Sequence, residues 1–130
     1  MNGTRILIAD DDFLAREMAK GLLELIGCKV VGEAATGVEA VEMVRQLRPD
    51  VVLMDIDMPE MNGFEATEQI HDGYLTPVIM WTGYDYSDVA EEAHLSGAAA
   101  CLVKPPEAHH LKQALIKALT YKAVTPEKTL

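Results

Sequence analysis

The chain is predicted to be an α/β protein, a single doubly wound domain of five βα repeats around a parallel sheet. Three observations carry this expectation. Five short apolar runs, Arg5–Ala9, Lys29–Ala34, Val51–Met54, Val78–Trp81 and Ala100–Val103, alternate with longer stretches of helical pattern. The runs are rich in Val, Ile and Leu and mostly do not alternate with polar residues, as befits parallel strands covered on both faces. The length of 130 residues, 49% of them hydrophobic, suits one domain with a real core.

The elements follow in order. The first run leads into Asp10-Asp11-Asp12. Phe13 to Ile26 then places apolar residues at Leu14, Met18, Leu22, Leu25 and Ile26, close to a 3.6-residue period, and Gly27 can close that helix in a left-handed conformation. The second run ends in Gly-Glu-Ala and offers little chemistry, as an outer strand would. Thr36-Gly-Val-Glu39 reads as a capping box, and Pro49 ends the second helix. The third run passes straight into Asp55, then Asp57 and a turn at Pro59. Asn62-Gly-Phe-Glu65 is a looser capping box, with Gly73 as the stop signal for the helix it starts. The fourth run ends in Thr82-Gly83. Asp85, Asp88, Glu91 and Glu92 follow as a solvated face or an acidic contact surface, and Gly97 ends the fourth helix. After the fifth run come Lys104 and Pro105. Pro106 fits the first turn of a last helix from about Glu107 to Tyr121. The expected division is a domain over residues 1–122 and a tail or start of a linker over 123–130.

Charge and composition narrow the function. A formal net charge of −10 disfavours direct nucleic-acid binding, because phosphates reward Lys and Arg. No apolar run approaches the roughly 20 residues of a membrane span. Met-Asn-Gly-Thr-Arg lacks the apolar stretch of a secretory signal, so a cytoplasmic location is the default. Cys28 and Cys101 read as reduced, packed thiols. His71, His94, His109 and His110 read as solvated, and the pair His109-His110 lacks a third metal ligand.

In open parallel sheets, sites form outside the carboxyl ends of the strands. Those ends carry Asp10, Asp11 and Asp12, then Asp55, Thr82 and Lys104. Each has a plain explanation alone: a helix cap for Asp11 or Asp12, turn chemistry for Asp57 and Thr82-Gly83, a surface charge for Lys104. Gathered on one rim, they make a set. Clustered carboxylates need a proton or a cation, and a hard divalent ion bound through oxygens, Mg²⁺, answers that need. Lys104 and Thr82 are donors suited to phosphoryl oxygens, and a carboxylate can act as nucleophile to form an acyl phosphate. The constellation describes phosphoryl transfer onto an aspartate.

The segments ILIADDD, VVLMDIDMPEMNG, VIMWTG and CLVKP closely resemble the receiver domain of two-component response regulators, over about Thr4 to Tyr121. The resemblance implies a flavodoxin-like sheet of order 2-1-3-4-5. It implies Asp55 as phosphoacceptor and Asp10 and Asp11 as the acidic pair for Mg²⁺. Asp11 and Asp55 would be direct ligands, with the backbone carbonyl of Asp57 as another. Thr82 and Lys104 would contact the phosphoryl group, Gly83 would leave room for it, and the Lys104-Pro105 bond would be cis. The phosphodonor would be a histidine kinase or histidine phosphotransfer protein. Phosphorylation would remodel the surface of the fourth helix, fifth strand and fifth helix to control an output partner or domain, with a phosphorylation-dependent dimer as a further expectation. The role is a signalling phosphoacceptor rather than an enzyme, one that assists its own phosphorylation and dephosphorylation.

The sequence departs from the family pattern at Cys101, where an aromatic residue is usual, and Tyr84 or Trp81 is expected to supply the missing bulk. Pro106 stands where a large apolar residue is usual. Asp57 and Tyr84 occupy positions that tune hydrolysis of the acyl phosphate. Two rival readings differ in class. A haloacid dehalogenase-like phosphatase also uses an aspartyl phosphate, but its nucleophile usually sits on the first strand. A flavodoxin-like cofactor module needs a phosphate loop where this chain has three aspartates.

Overall fold

A computed structural model describes residues 1–84 and 86–128, with side chains described for residues 1–84 and 87–120. Asp85, one of the acids assigned to the fourth helix, and residues 129–130 of the expected tail lie outside the described residues. The elements are β1 (Arg5–Ala9), α1 (Phe13–Leu25), β2 (Lys29–Ala34), α2 (Gly37–Leu47), β3 (Val51–Met54), α3 (Gly63–Tyr74), β4 (Val78–Thr82), α4 (Tyr86–Leu95), β5 (Ala100–Val103) and α5 (Ala108–Lys128). All strand pairs are parallel, in the order β2-β1-β3-β4-β5. The doubly wound architecture and the strand order expected from the resemblance are both present.

Why the strands read as unbroken apolar runs is visible in two cores. Ile6, Ile8, Val51, Leu53, Ile79 and Trp81 face one side and pack with Ala15, Ala19 and Leu23 of α1 and Leu111 and Leu115 of α5. Leu7, Ala9, Val52, Met54, Val78 and Met80 face the other and pack with residues of α2, α3 and α4. Successive side chains alternate between the faces, and both faces are dry. β2 is an edge strand and is mostly half-buried.

Three local expectations need correction. In α1 the buried face is Ala15, Ala19 and Leu23, whereas Leu14, Met18 and Leu25 are 73%, 42% and 77% exposed. Small alanines let the helix approach the sheet, and the larger residues remain on its flank. α3 runs through Gly73 and ends at Leu75, which takes the left-handed cap with φ 56°. α5 extends beyond Tyr121 to Lys128. Other signals match: Thr36 accepts from Glu39 N at 3.0 Å, Asn62 and Glu65 form a full capping box, and α2 ends at a left-handed Arg48 just before Pro49.

Register is what builds the rim. Ala9 lies opposite Met54, so Asp10 and Asp55 leave the sheet side by side. Thr82 lies opposite Val103, so Lys104 emerges next to Thr82. Among the described residues, no helix is long and apolar enough to cross a membrane.

Candidate functional site

Asp10 is fully buried at the end of β1. One carboxylate oxygen accepts from the Asp12 backbone N–H at 2.9 Å, and the other accepts from Lys104 Nζ at 2.6 Å. Its carbonyl accepts from Arg16 Nη1 at 2.8 Å, while Arg16 Nε donates to Glu33 at 3.1 Å. Asp11 is exposed on the rim. Asp12 is a helix cap, its side chain accepting from Leu14 N at 3.1 Å.

Asp55 is buried at the end of β3, its N–H donating to the Ala9 carbonyl at 2.8 Å. Its Oδ1 accepts from Lys104 Nζ at 3.1 Å. Burial, and then the negative charge of Asp10, push the Asp55 carboxyl up from 3.8 to about 6, although Lys104 pulls the other way. Burial disfavours the Lys104 ammonium, but its hydrogen bond to Asp10 and the charges of Asp55 and Asp10 outweigh that, and its pKa is raised. The ammonium also lies 4.6 Å above the Trp81 ring. Lys104 is thus held from three sides.

Oxygens of Asp10, Asp11 and Asp55 all lie within 4.8 Å of one another. Three hard oxygen donors at this spacing fit a small divalent cation such as Mg²⁺, which takes few protein carboxylates and keeps sites for water and phosphate. Thr82 is buried, and its hydroxyl oxygen accepts from Tyr84 N at 3.0 Å. A Cβ on Gly83 would meet nothing within 4 Å, which leaves room beside Thr82. The exposed Asp57 side chain accepts from the Tyr84 hydroxyl at 2.5 Å, and this bond raises the Tyr84 pKa. The Lys104-Pro105 bond is cis.

Several contributors escaped the sequence reading. A Cβ on Gly63 would stand 2.0 Å from the Asp55 carbonyl oxygen, and Gly63 N donates to the Ile56 carbonyl at 2.7 Å. Gly63 therefore lets α3 start directly against the backbone of Asp55. Gly37 does the same against Met61, whose carbonyl oxygen would lie 2.1 Å from an added Cβ. In the sequence Asn62-Gly63 reads as a helix cap and as the end of the segment VVLMDIDMPEMNG; a close approach between distant backbones leaves no local signal. Arg16 and the Trp81 ring were likewise missed.

Two further expectations are overturned. Neither Tyr84 nor Trp81 supplies bulk at Cys101. Cys101 pairs with Met80 and packs on the α3/α4 side, whereas Trp81 belongs to the core under α1 and α5, and Tyr84 reaches Asp57 instead. The pair His109-His110 does meet a third group: Glu107 Oε2 lies 3.4 Å from His109 Nδ1, although all three residues are exposed.

A family profile described as the response regulator receiver domain matches residues 6–116. The chemotaxis protein CheY of Thermotoga maritima is 39% identical over 118 residues, covering 88% of this chain and 97% of CheY. The transcriptional regulatory protein PdtaR of Mycobacterium tuberculosis is 40% identical over 101 residues, covering 78% of this chain but 49% of PdtaR. The chain therefore spans about half the length of PdtaR. The response regulator domain of Thermotoga maritima CheB superposes with a TM-score of 0.83 at 33% identity, covering 92% of this chain and 98% of that domain.

Proposed function

This chain belongs to the response regulator receiver domain family, and on that premise we propose that Asp55 accepts a phosphoryl group from a histidine kinase or histidine phosphotransfer protein. The observation that carries the reading is the arrangement at the rim: Asp55 beside Asp10, both held by Lys104, with Asp11 within reach. An Asp55 oxygen attacks phosphorus, an O–P bond forms, and the N–P bond to the donor imidazole breaks. Asp10, Asp11 and Asp55, with the backbone carbonyl of Asp57, would hold Mg²⁺, and the ion would supply positive charge that offsets the carboxylates and the phosphoryl group.

The rest is work for the chain's own residues. Lys104 exchanges a carboxylate oxygen for a phosphoryl oxygen. Thr82 turns its hydroxyl proton toward the phosphoryl group, and the loop after β4 follows. The surface of α4, β5 and α5 is thereby biased toward a second state that controls an output partner or domain, and phosphorylation would also favour a dimer. Asp57 and Tyr84, hydrogen-bonded to each other, flank the path of a hydrolytic water. The chain is a signalling phosphoacceptor that assists its own phosphorylation and dephosphorylation. Residues 1–122 would form the receiver, with α5 carrying on past that boundary to Lys128.

The test is intact-mass spectrometry after mixing with Mg²⁺ and acetyl phosphate. A gain of one phosphoryl group is expected, absent from Asp55→Asn and from a chelated sample. No gain under rapid cold quenching, with beryllofluoride binding also absent, would overturn the reading.

A further inference from the structure

A second set of metal-ligating side chains, sharing no member with the rim, stands at the start of α5. Pro105 and Pro106 lead out of β5, and Glu107, His109 and His110 follow. Each of the three offers one ligand atom, and these atoms lie within 4.8 Å of one another. The backbone beneath them is fixed: Leu111 N donates to the Glu107 carbonyl at 3.0 Å, and Leu111 is fully buried. The side chains themselves are exposed, so they can turn toward one point at little cost. His110 also lines a groove of about 300 Å³ over Cys101, between α4 and α5.

The spacing fits a shared ion better than a plain ion pair. Glu107 Oε2 stands 3.4 Å from His109 Nδ1. That is long for a charge-assisted hydrogen bond, which runs at roughly 2.7–2.9 Å. Two donors each about 2.1 Å from one ion, at a tetrahedral angle, stand about 3.4 Å apart. The His110 ring lies 4.0 Å from the His109 ring, centroid to centroid. A second imidazole adds nothing to an ion pair with Glu107, and two imidazolium rings in contact repel. Two neutral imidazoles can both serve one cation, because each presents a nitrogen lone pair. The start of a helix is electropositive and works against a cation; the Glu107 carboxylate and the net charge of −10 work for it. The donors also differ in kind from those of the rim. Asp10, Asp11 and Asp55 offer oxygens only, which suits a hard ion. Two nitrogens and one oxygen suit a borderline transition ion.

We propose that Glu107, His109 and His110 form a Zn²⁺ site at the start of α5, with water completing the shell. The inference goes beyond the phosphoryl reading and does not depend on it. The ion would tie Glu107, just after the Pro105-Pro106 pair, to the first turn of α5. That pair directly follows Lys104, so Zn²⁺ fastens the stretch of chain between the rim and α5.

The test titrates Zn²⁺ by calorimetry into the untagged full chain, with millimolar Mg²⁺ present to occupy the rim. One equivalent is expected to bind with a Kd below about 10 μM. Glu107→Ala, His109→Gln and His110→Gln should each weaken binding at least tenfold, whereas His94→Gln and Asp55→Asn should leave it unchanged. Imidazole nitrogen signals of His109 and His110 should shift with Zn²⁺ in NMR spectra, and those of His71 and His94 should not. Acetyl phosphate should still add one phosphoryl mass to each of the three site variants, so the two readings fail separately. A Kd above that limit, binding indifferent to the histidine variants, or binding lost in Asp55→Asn would overturn the proposal. So would a ratio of two chains per ion, which would make the histidines a bridge between copies.

Discussion

The rim around Asp55 and the groove over Cys101 are built in opposite ways. At the rim, side chains distant in sequence hold one another, Lys104 with Asp10 and Asp55 and Tyr84 with Asp57, and Asp10 also accepts from the neighbouring Asp12 N–H. At the groove the lining is small side chains without hydrogen-bonding groups, Ala93 from one core and Ala99 and Ala114 from the other. A crowded polar site has one working arrangement and is set before its ligand arrives. An apolar edge lined by small side chains has no such fixed arrangement to lose. The difference teaches where substitutions should be costly: changes that add atoms at the rim should cost most, and changes that fill the space of the groove should cost little.

Gly63→Ala is the change that should break the comparison hardest. The added Cβ would stand 2.0 Å from the Asp55 carbonyl, between two backbones that cannot both stay in place. Overpacking of this kind costs about 3 kcal/mol, read as a lower urea midpoint at unchanged slope. The same methyl added nowhere near a backbone, as in Gly83→Ala, should leave the midpoint unchanged, because nothing lies within 4 Å of that position.

Asp55 supplies the next effect. Its folded pKa, about 6, lies above its ordinary value of 3.8. Between those values the folded chain binds more protons than the unfolded chain, so stability falls as pH rises through that window. Asp55→Asn removes the buried charge and should stabilise the metal-free protein at pH 7 by about 2 kcal/mol, allowing for partial solvent screening. The gain should vanish near pH 4. A gain equal at both pH values would show that Asp55 is not the source.

Lys104→Ala should cost somewhat less than Gly63→Ala. It strands Asp10 and Asp55 without their shared cation, at about 1–2 kcal/mol for a pair that water still reaches. Millimolar Mg²⁺ should restore most of that loss in thermal melts, since a cation can replace the ammonium between the carboxylates. A loss that Mg²⁺ does not relieve would place the role of Lys104 elsewhere, in its contact with the Trp81 ring.

These predictions follow the line between what the sequence displays and what it hides. The strands were legible because an apolar run covered on both sides is a local pattern. The rim was legible because each run ends in the residue that does the chemistry, from Asp10 to Lys104. Contacts set by the approach of two separated backbones were not, and Gly63 against Asp55 is the example. The face of α1 was misjudged for a related reason: alanines add little to an apolar pattern, yet Ala15 and Ala19 are the residues that permit close packing. Trp81 was assigned to the wrong face of the sheet because parity requires register. Once Met80 is known to lie opposite Cys101, its neighbour Trp81 must point the other way.

A small stability effect is expected from Cys101→Tyr, and it sharpens the comparison most. If the groove is unfilled space at a sheet edge, a phenol ring can enter it without displacing a packed neighbour. The unfolding free energy read from urea titration should then change by less than about 0.5 kcal/mol, as for substitutions outside a tight core. The half-buried thiol it replaces is held above its ordinary pKa by burial alone, so no ionic contact is lost with it. A destabilisation near that of Gly63→Ala would mean that the space between Cys101 and Ala93 is as tightly determined as the rim. The two regions would then differ in polarity but not in the freedom they leave to an added side chain. A neutral result, with phosphoryl uptake on Asp55 unchanged, would leave that freedom where the alanines put it, at the edge of β5.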